Sequence, residues 1–156
     1  MTKTNAMRLL ESAGIDYETL EYEVDESDLS GVSVCKKTGK DKDTVFKTLV
    51  FHGEKNGYGV CCIPAYDELD LKKCAKAFGE KKVELIHVKD LLKVTGYIRG
   101  GCSPVGMKKQ FPTVIDETAT LFDKIYFSGG QRGLMLGVNP LEAAEFIGAE
   151  FADVTV

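Results

Sequence analysis

Lys47 stands in the run Val45-Phe46-Lys47-Thr48-Leu49-Val50-Phe51, whose β-branched and aromatic content predicts a strand. Side chains alternate along a strand, so Lys47 shares a face with Val45, Leu49 and Phe51, while Phe46 and Val50 make the opposite face apolar as well. An ammonium in such a row must snorkel to water, meet an anion or point into a cavity. Left unpaired in the interior it would cost on the order of several kcal/mol. An outward lysine on an edge strand is the plain alternative, and the apolar opposite face favours the pocket.

Two glycine-rich segments follow, Gly100-Gly101-Cys102-Ser103-Pro104-Val105-Gly106 and Ser128-Gly129-Gly130-Gln131-Arg132-Gly133. Paired glycines let main-chain N–H groups approach a ligand oxygen closely, and Pro104 stiffens the first loop. A carbonyl, a ribose or a phosphate would suit such a cradle. The first loop is not a Walker loop, because Met107 displaces the required lysine and hydroxyl pair. Taken singly, the first is equally a tight connection and the second a hairpin turn.

Cys102 invites comparison with nucleophilic cysteines, for which His52 and His87 are the available imidazoles. Neither spacing matches a cysteine-hydrolase signature, and a cysteine without such a partner is ordinarily a small buried apolar residue. Cys61, Cys62, Cys74 and His87 lack zinc-ligand spacing, so no metal is expected.

These residues need elements to hold them. Met7, Leu10 and Ala13 recur at helical spacing, and Gly14 makes a stop. Tyr17 to Tyr22 reads as a strand. Ser30 to Gly39 is ambiguous, since Val32, Val34 and Cys35 favour a strand while Gly39 would close a helix. Tyr58 to Ile63 is the expected hairpin partner of the Lys47 strand. Asp70 caps a helix ended by Gly79; Val83 to Ile86 is a strand and Val88 to Thr95 a helix. Thr113 to Ile115, Ile125 to Phe127 and Leu134 to Val138 are further strands. Asn139-Pro140 opens a helix that runs to Gly148, and Phe151 to Val156 reads as an edge strand. Strands often follow one another directly, which favours an α+β domain with a mixed sheet.

At 156 residues, 44% hydrophobic and 28% charged, the chain fits one globular domain, residues 1–156, that needs no disulfide or metal staple. It has no apolar run near the ~20 residues that span a bilayer and no signal-like N-terminus. Five unframed cysteines point to a reducing compartment, and a cytoplasmic location is expected. The net charge of −4 excludes coating of nucleic acid by a general basic surface, so an RNA partner would need a local patch. Lys72, Lys73, Lys76, Lys81, Lys82, Lys108 and Lys109 are candidates, though a solvated face explains them more simply.

The segments Val45-Phe46-Lys47-Thr48-Leu49, Thr95-Gly96-Tyr97, Gly100 to Gly106 and Ser128 to Leu134, in this order, resemble the YbaK family of bacterial Cys-tRNA(Pro) deacylases. These are relatives of the editing domain inserted in bacterial prolyl-tRNA synthetases. The resemblance runs from the first helix to Gly148-Ala149-Glu150-Phe151, and it implies an α+β domain with a mixed, barrel-like sheet. It implies removal of cysteine from tRNA(Pro), and possibly from tRNA(Cys), without cofactor or metal, beside prolyl-tRNA synthetase. The substrate's own thiol would attack its ester carbonyl and release a thiolactone. Lys47 matches the family's essential lysine. Tyr22, Thr48 and Ser128 match pocket positions, and the loops bearing Gly100, Gly101 and Ser103, and Gly129 and Gly130, would hold the carbonyl or terminal ribose of the tRNA 3′ end. Ser30 stands where some members carry a rim aromatic, and Cys102 where an aliphatic residue is usual. A deacylase clearing alanine with activated water, and a non-catalytic module binding tRNA or synthetase, are the competing readings.

Overall fold

The computed structural model describes residues 2–156. Its helices begin where side chains can accept the unpaired N–H groups of a first turn. Thr4 caps α1 (Asn5–Ser12), Asp70 caps α3 (Leu71–Ala77), and Asn139 followed by proline caps α5 (Pro140–Ile147). The ambiguous segment is a helix, α2 (Gly31–Thr38). The Ser30 hydroxyl accepts from Ser33 N–H, and Gly39 closes the helix at φ +68°. Local β preference in Val32 and Val34 yields here to two good caps and to burial of Val34 and Cys35 on one helical face.

The strands are β1 (Glu18–Glu21), β2 (Phe46–Gly53), β3 (Gly57–Pro64), β4 (Val83–Leu85), β5 (Thr113–Asp116), β6 (Ile125–Ser128), β7 (Leu134–Val138) and β8 (Glu150–Ala152), with α4 at Val88–Thr95. A short 3-10 turn at Glu117–Leu121 follows β5 and was not legible in the periodicity. Five strands form one sheet in the order β4-β2-β3-β5-β8. Its β4-β2-β3 half is antiparallel and its β3-β5-β8 half is parallel, as a mixed sheet requires. The other three strands form an antiparallel sheet in the order β1-β7-β6.

The main core fills the space between the two sheets. Phe46, Val50, Val60, Cys62 and Ile115 meet Ile125, Phe127, Leu134, Leu136 and Val138, and α1 and α5 close the ends with Met7, Leu10, Ala143 and Ile147. A second cluster under α3 covers the opposite face of the large sheet, around Phe51, Cys61 and Ile63. The expected barrel-like sheet is mixed but not closed. The sheets join at a single parallel bridge, Val45 with Tyr126, where Tyr126 N–H donates to the Thr44 carbonyl at 2.8 Å. Among the described residues no helix is long and apolar enough to cross a membrane.

Asp116 ties the C-terminal segment to β5. One carboxylate oxygen accepts from Val154 N–H at 3.2 Å and the other from the Thr118 hydroxyl at 2.6 Å, and the residue is only 1% exposed. Asp116→Ala leaves a buried N–H unpaired and is expected to cost about 2 kcal/mol. In a thermal melt that is a fall in Tm of about 4–8 °C; an unchanged Tm would show that the tail is held by packing alone.

Candidate active site

Beyond the Val45–Tyr126 bridge, β6 and β2 run parallel but separate. On that side β4 pairs only with Phe51, His52 and Gly53, so β2 from Phe46 to Leu49 has one ladder neighbour, β3. The Val45 carbonyl accepts from Ala65 on the β3 side, whereas the Val50 carbonyl accepts from Ile86 on the other. By the alternation of an antiparallel ladder, the N–H and C=O of Thr48 point into the opening. The wedge between the strands is a cleft of about 370 Å³.

The N-terminus of α2 roofs this cleft. Val34 and Cys35 pack on Val45, Ala65, Tyr126 and Met135. Gly31 is pressed so closely on the end of β3 that a Cβ there would lie 2.7 Å from the Ala65 Cβ. Tyr22, Ser30, Lys47, Thr48, Gly100 and Ser128 all line the cleft, brought together from five separate stretches of chain. Its apolar wall is Leu29, Val34, Leu49, Ala65, Cys102 and Met135. The wall residues Val34 and Met135 were missed by sequence reasoning because their helix and strand meet only through the seam. Arg99 also lines the cleft and was missed; its one signal was being the single charge between Gly96 and Gly106.

Lys47 is half-buried and makes no hydrogen bond or ion pair within 4 Å among the described residues. Burial pushes its pKa below the ordinary lysine value, partly offset by the more distant carboxylates of Asp67 and Glu68. Ser30 and Ser128 serve the backbone as well as the wall, accepting from Ser33 and Gly130 N–H at 3.2 Å each. The Thr48 hydroxyl lies 3.8 Å from the Cys62 sulfur.

The remaining loop residues singled out by type stand behind the wall. Gly101 lies flat on the second loop, where a Cβ would meet Gln131 Cα at 3.1 Å and Arg132 N at 3.2 Å. Gly129 is crowded by Leu134, and Gly130, at φ +102°, by the Tyr97 ring. Ser103 is fully buried and accepts from Val105 N–H at 3.2 Å. The two loops are thus glycine-rich in large part because a Cβ would have no room there, against backbone at Gly101 and against side chains at Gly129 and Gly130. None of the clustered lysines of α3 and the neighbouring loops lines the cleft.

The cysteine-hydrolase arrangement does not form. Burial pushes the Cys102 thiol up to about 12, so it is un-ionised at neutral pH. No imidazole lines the cleft: His52 is exposed and stacks edge-on against Tyr58, and His87 occupies the N-cap of α4. A further groove of about 440 Å³ lies by the β2–β3 turn. Two carboxylates line it: Glu80, already taken by Lys55 and Asn56 N–H groups, and Glu150, which is exposed to water, whereas the Lys47 cleft holds a half-buried cation without a close partner.

Residues 29–146 match the family model described as the aminoacyl-tRNA editing domain. The chain belongs to the aminoacyl-tRNA editing-domain family. Within it, the chain is 48% identical over 153 residues to the Enterococcus faecalis protein named "Putative Cys-tRNA(Pro)/Cys-tRNA(Cys) deacylase EbsC", covering 98% of this chain and 93% of that protein. Two solved structures share the editing-domain fold. The hypothetical protein APE2540 superposes with a TM-score of 0.86 at 23% identity, over 96% of this chain and 97% of its own. A structure described as "a putative trans-editing enzyme for prolyl tRNA synthetase" gives a TM-score of 0.84 at 24% identity, over 99% of each chain.

Lys47 is held at a cost. Its depressed pKa means that the folded protein binds this proton less well than the unfolded chain, so the contribution of Lys47 is unfavourable at neutral pH and is relieved only as pH rises toward the unfolded value near 10.4. Lys47→Met, which keeps the volume and removes the charge, is therefore expected to raise Tm at pH 7, by about 2–4 °C for each kcal/mol recovered. A lowered Tm would mean that the ammonium is satisfied in solution.

Proposed function

We propose that this protein is a deacylase that removes cysteine mischarged on tRNA(Pro), by attack of the substrate's own thiol. One observation carries the reading: an unpaired lysine sits in a cleft whose only thiol, Cys102, is un-ionised at neutral pH and has no base beside it. The 48% identity to a protein named as a deacylase of Cys-tRNA(Pro) and Cys-tRNA(Cys) supports the substrate class.

In the reaction the substrate sulfur bonds to its own ester carbonyl carbon while the bond to the ribose oxygen breaks. The thiol proton ends on the ribose hydroxyl, and the products are a four-membered thiolactone and tRNA. A cysteine thiol has a reference pKa of about 8.5, so a few per cent is thiolate at neutral pH. Nucleophile and target are on one small molecule, which supplies proximity without an enzyme base. The Lys47 ammonium is placed to stabilise the negative charge that develops on the carbonyl oxygen, in a site where water screens it poorly. The Thr48 N–H and hydroxyl, Tyr22, Ser128 and the Gly100 loop position the aminoacyl group and ribose, with Gly101, Ser103, Gly129 and Gly130 holding the loops in place. Release of a thiolactone makes the step an intramolecular acyl transfer, a lyase-like cleavage in which water takes no part, rather than hydrolysis. With a net charge of −4, the protein grips tRNA weakly alone, and prolyl-tRNA synthetase supplies the tRNA selection. The reaction takes place in the cytoplasm, where the charged tRNA is.

The test is ester loss from tRNA(Pro) charged with cysteine, alanine or proline. Cysteine alone should be released, and Lys47→Ala should slow release at least ~100-fold. tRNA charged with S-methylcysteine should survive. The rate should rise with pH toward about 8.5 as the substrate thiol ionises. It should fall again on the alkaline side before an ordinary lysine would deprotonate, because the Lys47 pKa is lowered. Release of alanine at a comparable rate would replace thiol attack with activated water. Loss of none of the three amino acids would leave a binding module.

A further inference from the structure

Of all the side chains that line the cleft, Lys47 and Arg99 are the ones that carry charge, and both are positive. This is unusual in a chain of net charge −4. Among the described residues seven cations pair with a carboxylate within 4 Å; the Arg99 guanidinium is not one of them, and it donates no hydrogen bond.

Three acids on the segment between Tyr22 and Ser30 are already engaged. Glu26 pairs with Arg132 at 2.8 Å. Asp25 accepts from Ser27, and Asp28 accepts from Ser30 N–H. The Arg99 main chain, in contrast, is held firmly. Its carbonyl accepts from Arg132 Nε at 2.8 Å, Gly101 N–H donates to Ile98 at 2.9 Å, and Gly100 at φ +85° is packed against Arg132 and Leu29. The result is an exposed guanidinium on a braced loop at the edge of a cleft that offers it no internal anion.

We infer that Arg99 binds a phosphodiester of the RNA 3′-terminal segment while Lys47 serves the aminoacyl end. The inference rests on the deacylase reading above. An aminoacyl ester has no carboxylate, so the anion available to a second cation is phosphate. A planar guanidinium suits phosphate oxygens through paired N–H donors. Arg132, which touches the Arg99 carbonyl rather than the cleft, acts as a positioning residue for this contact.

Arg99→Gln and wild type are to be compared on Cys-tRNA(Pro) and on 3′-O-cysteinyl-adenosine, which has no phosphate. Binding is read in parallel with an RNA helix ending in CCA and carrying cysteine through a non-cleavable 3′-amide. Arg99→Gln should raise KM for the charged tRNA about 10-fold with kcat unchanged, and leave the nucleoside ester unaffected, as expected for one lost charged contact. It should weaken helix binding similarly and reduce the slope of log affinity against log salt by about 0.7, one single-strand phosphate contact. Arg99→Lys should recover part of both. Equal losses on both substrates, or no loss on either, would overturn the assignment. If wild type binds the helix with this Arg99 dependence yet cleaves no charged tRNA, the deacylase reading fails and the phosphate contact stands. If wild type cleaves and the variant matches it, the phosphate contact alone fails; absence of both binding and cleavage overturns both.

Discussion

The site exists because β2 and β6 meet at one residue pair and then part. A strand bonded on both edges would have no room for a ligand and no main-chain groups to offer one. By joining β6 only at Val45 and β4 only from Phe51 onward, the fold leaves a few residues of β2 with an open edge inside the protein rather than at its border. An open edge invites strand addition and aggregation. Here α2, seated on Val45, Tyr126 and Met135, roofs the gap and restricts entry to something small.

Lys47 makes sense only in that gap. Strand alternation puts it on the face of Leu49 and Phe51, beside the cluster of Phe51, Cys61 and Ile63 under α3, where an unpaired ammonium would find nothing to neutralise it. Lining the cleft instead, it stays only half-buried. Its cost to the folded state comes from burial, which disfavours the charged form of an ammonium that has no close anion. The cysteines run the other way. Cys62 and Cys102 are pushed up to about 12 by burial, so they contribute volume and polarisability rather than nucleophilicity.

The glycine loops show how one composition can answer two demands. Gly100 lines the cleft, whereas Gly101 lets the first loop lie on the backbone of the second, and Gly129 and Gly130 make way for Leu134 and Tyr97. That packing, with Arg132 bonded to the Arg99 carbonyl, holds the two loops together beside the cleft. A small residue beside a cleft is therefore as often a spacer for the wall as a contact for the ligand.

Much of this could be read from the chain alone. Caps at Asp70 and Asn139, stops at Gly39 and Gly148, and the turn at Gly53 to Gly57 are local, and local signals set the elements. The oddity of Lys47 in an apolar row was local as well. Sheet closure, the roof and the far wall were not, because they depend on which edge of β2 is left unpaired. That is decided by contacts between residues some 80 positions apart, Val45 with Tyr126, and not by the propensity of either segment. For the same reason Val34 and Met135 were invisible as site residues, and Arg99 carried no signal beyond its charge in a glycine-rich loop. The sequence by itself determined most of the element types and marked Lys47 as an unusual charge in an apolar row; only the tertiary structure decided that this lysine faces a cleft, since burial and strand pairing are properties of the assembled sheets.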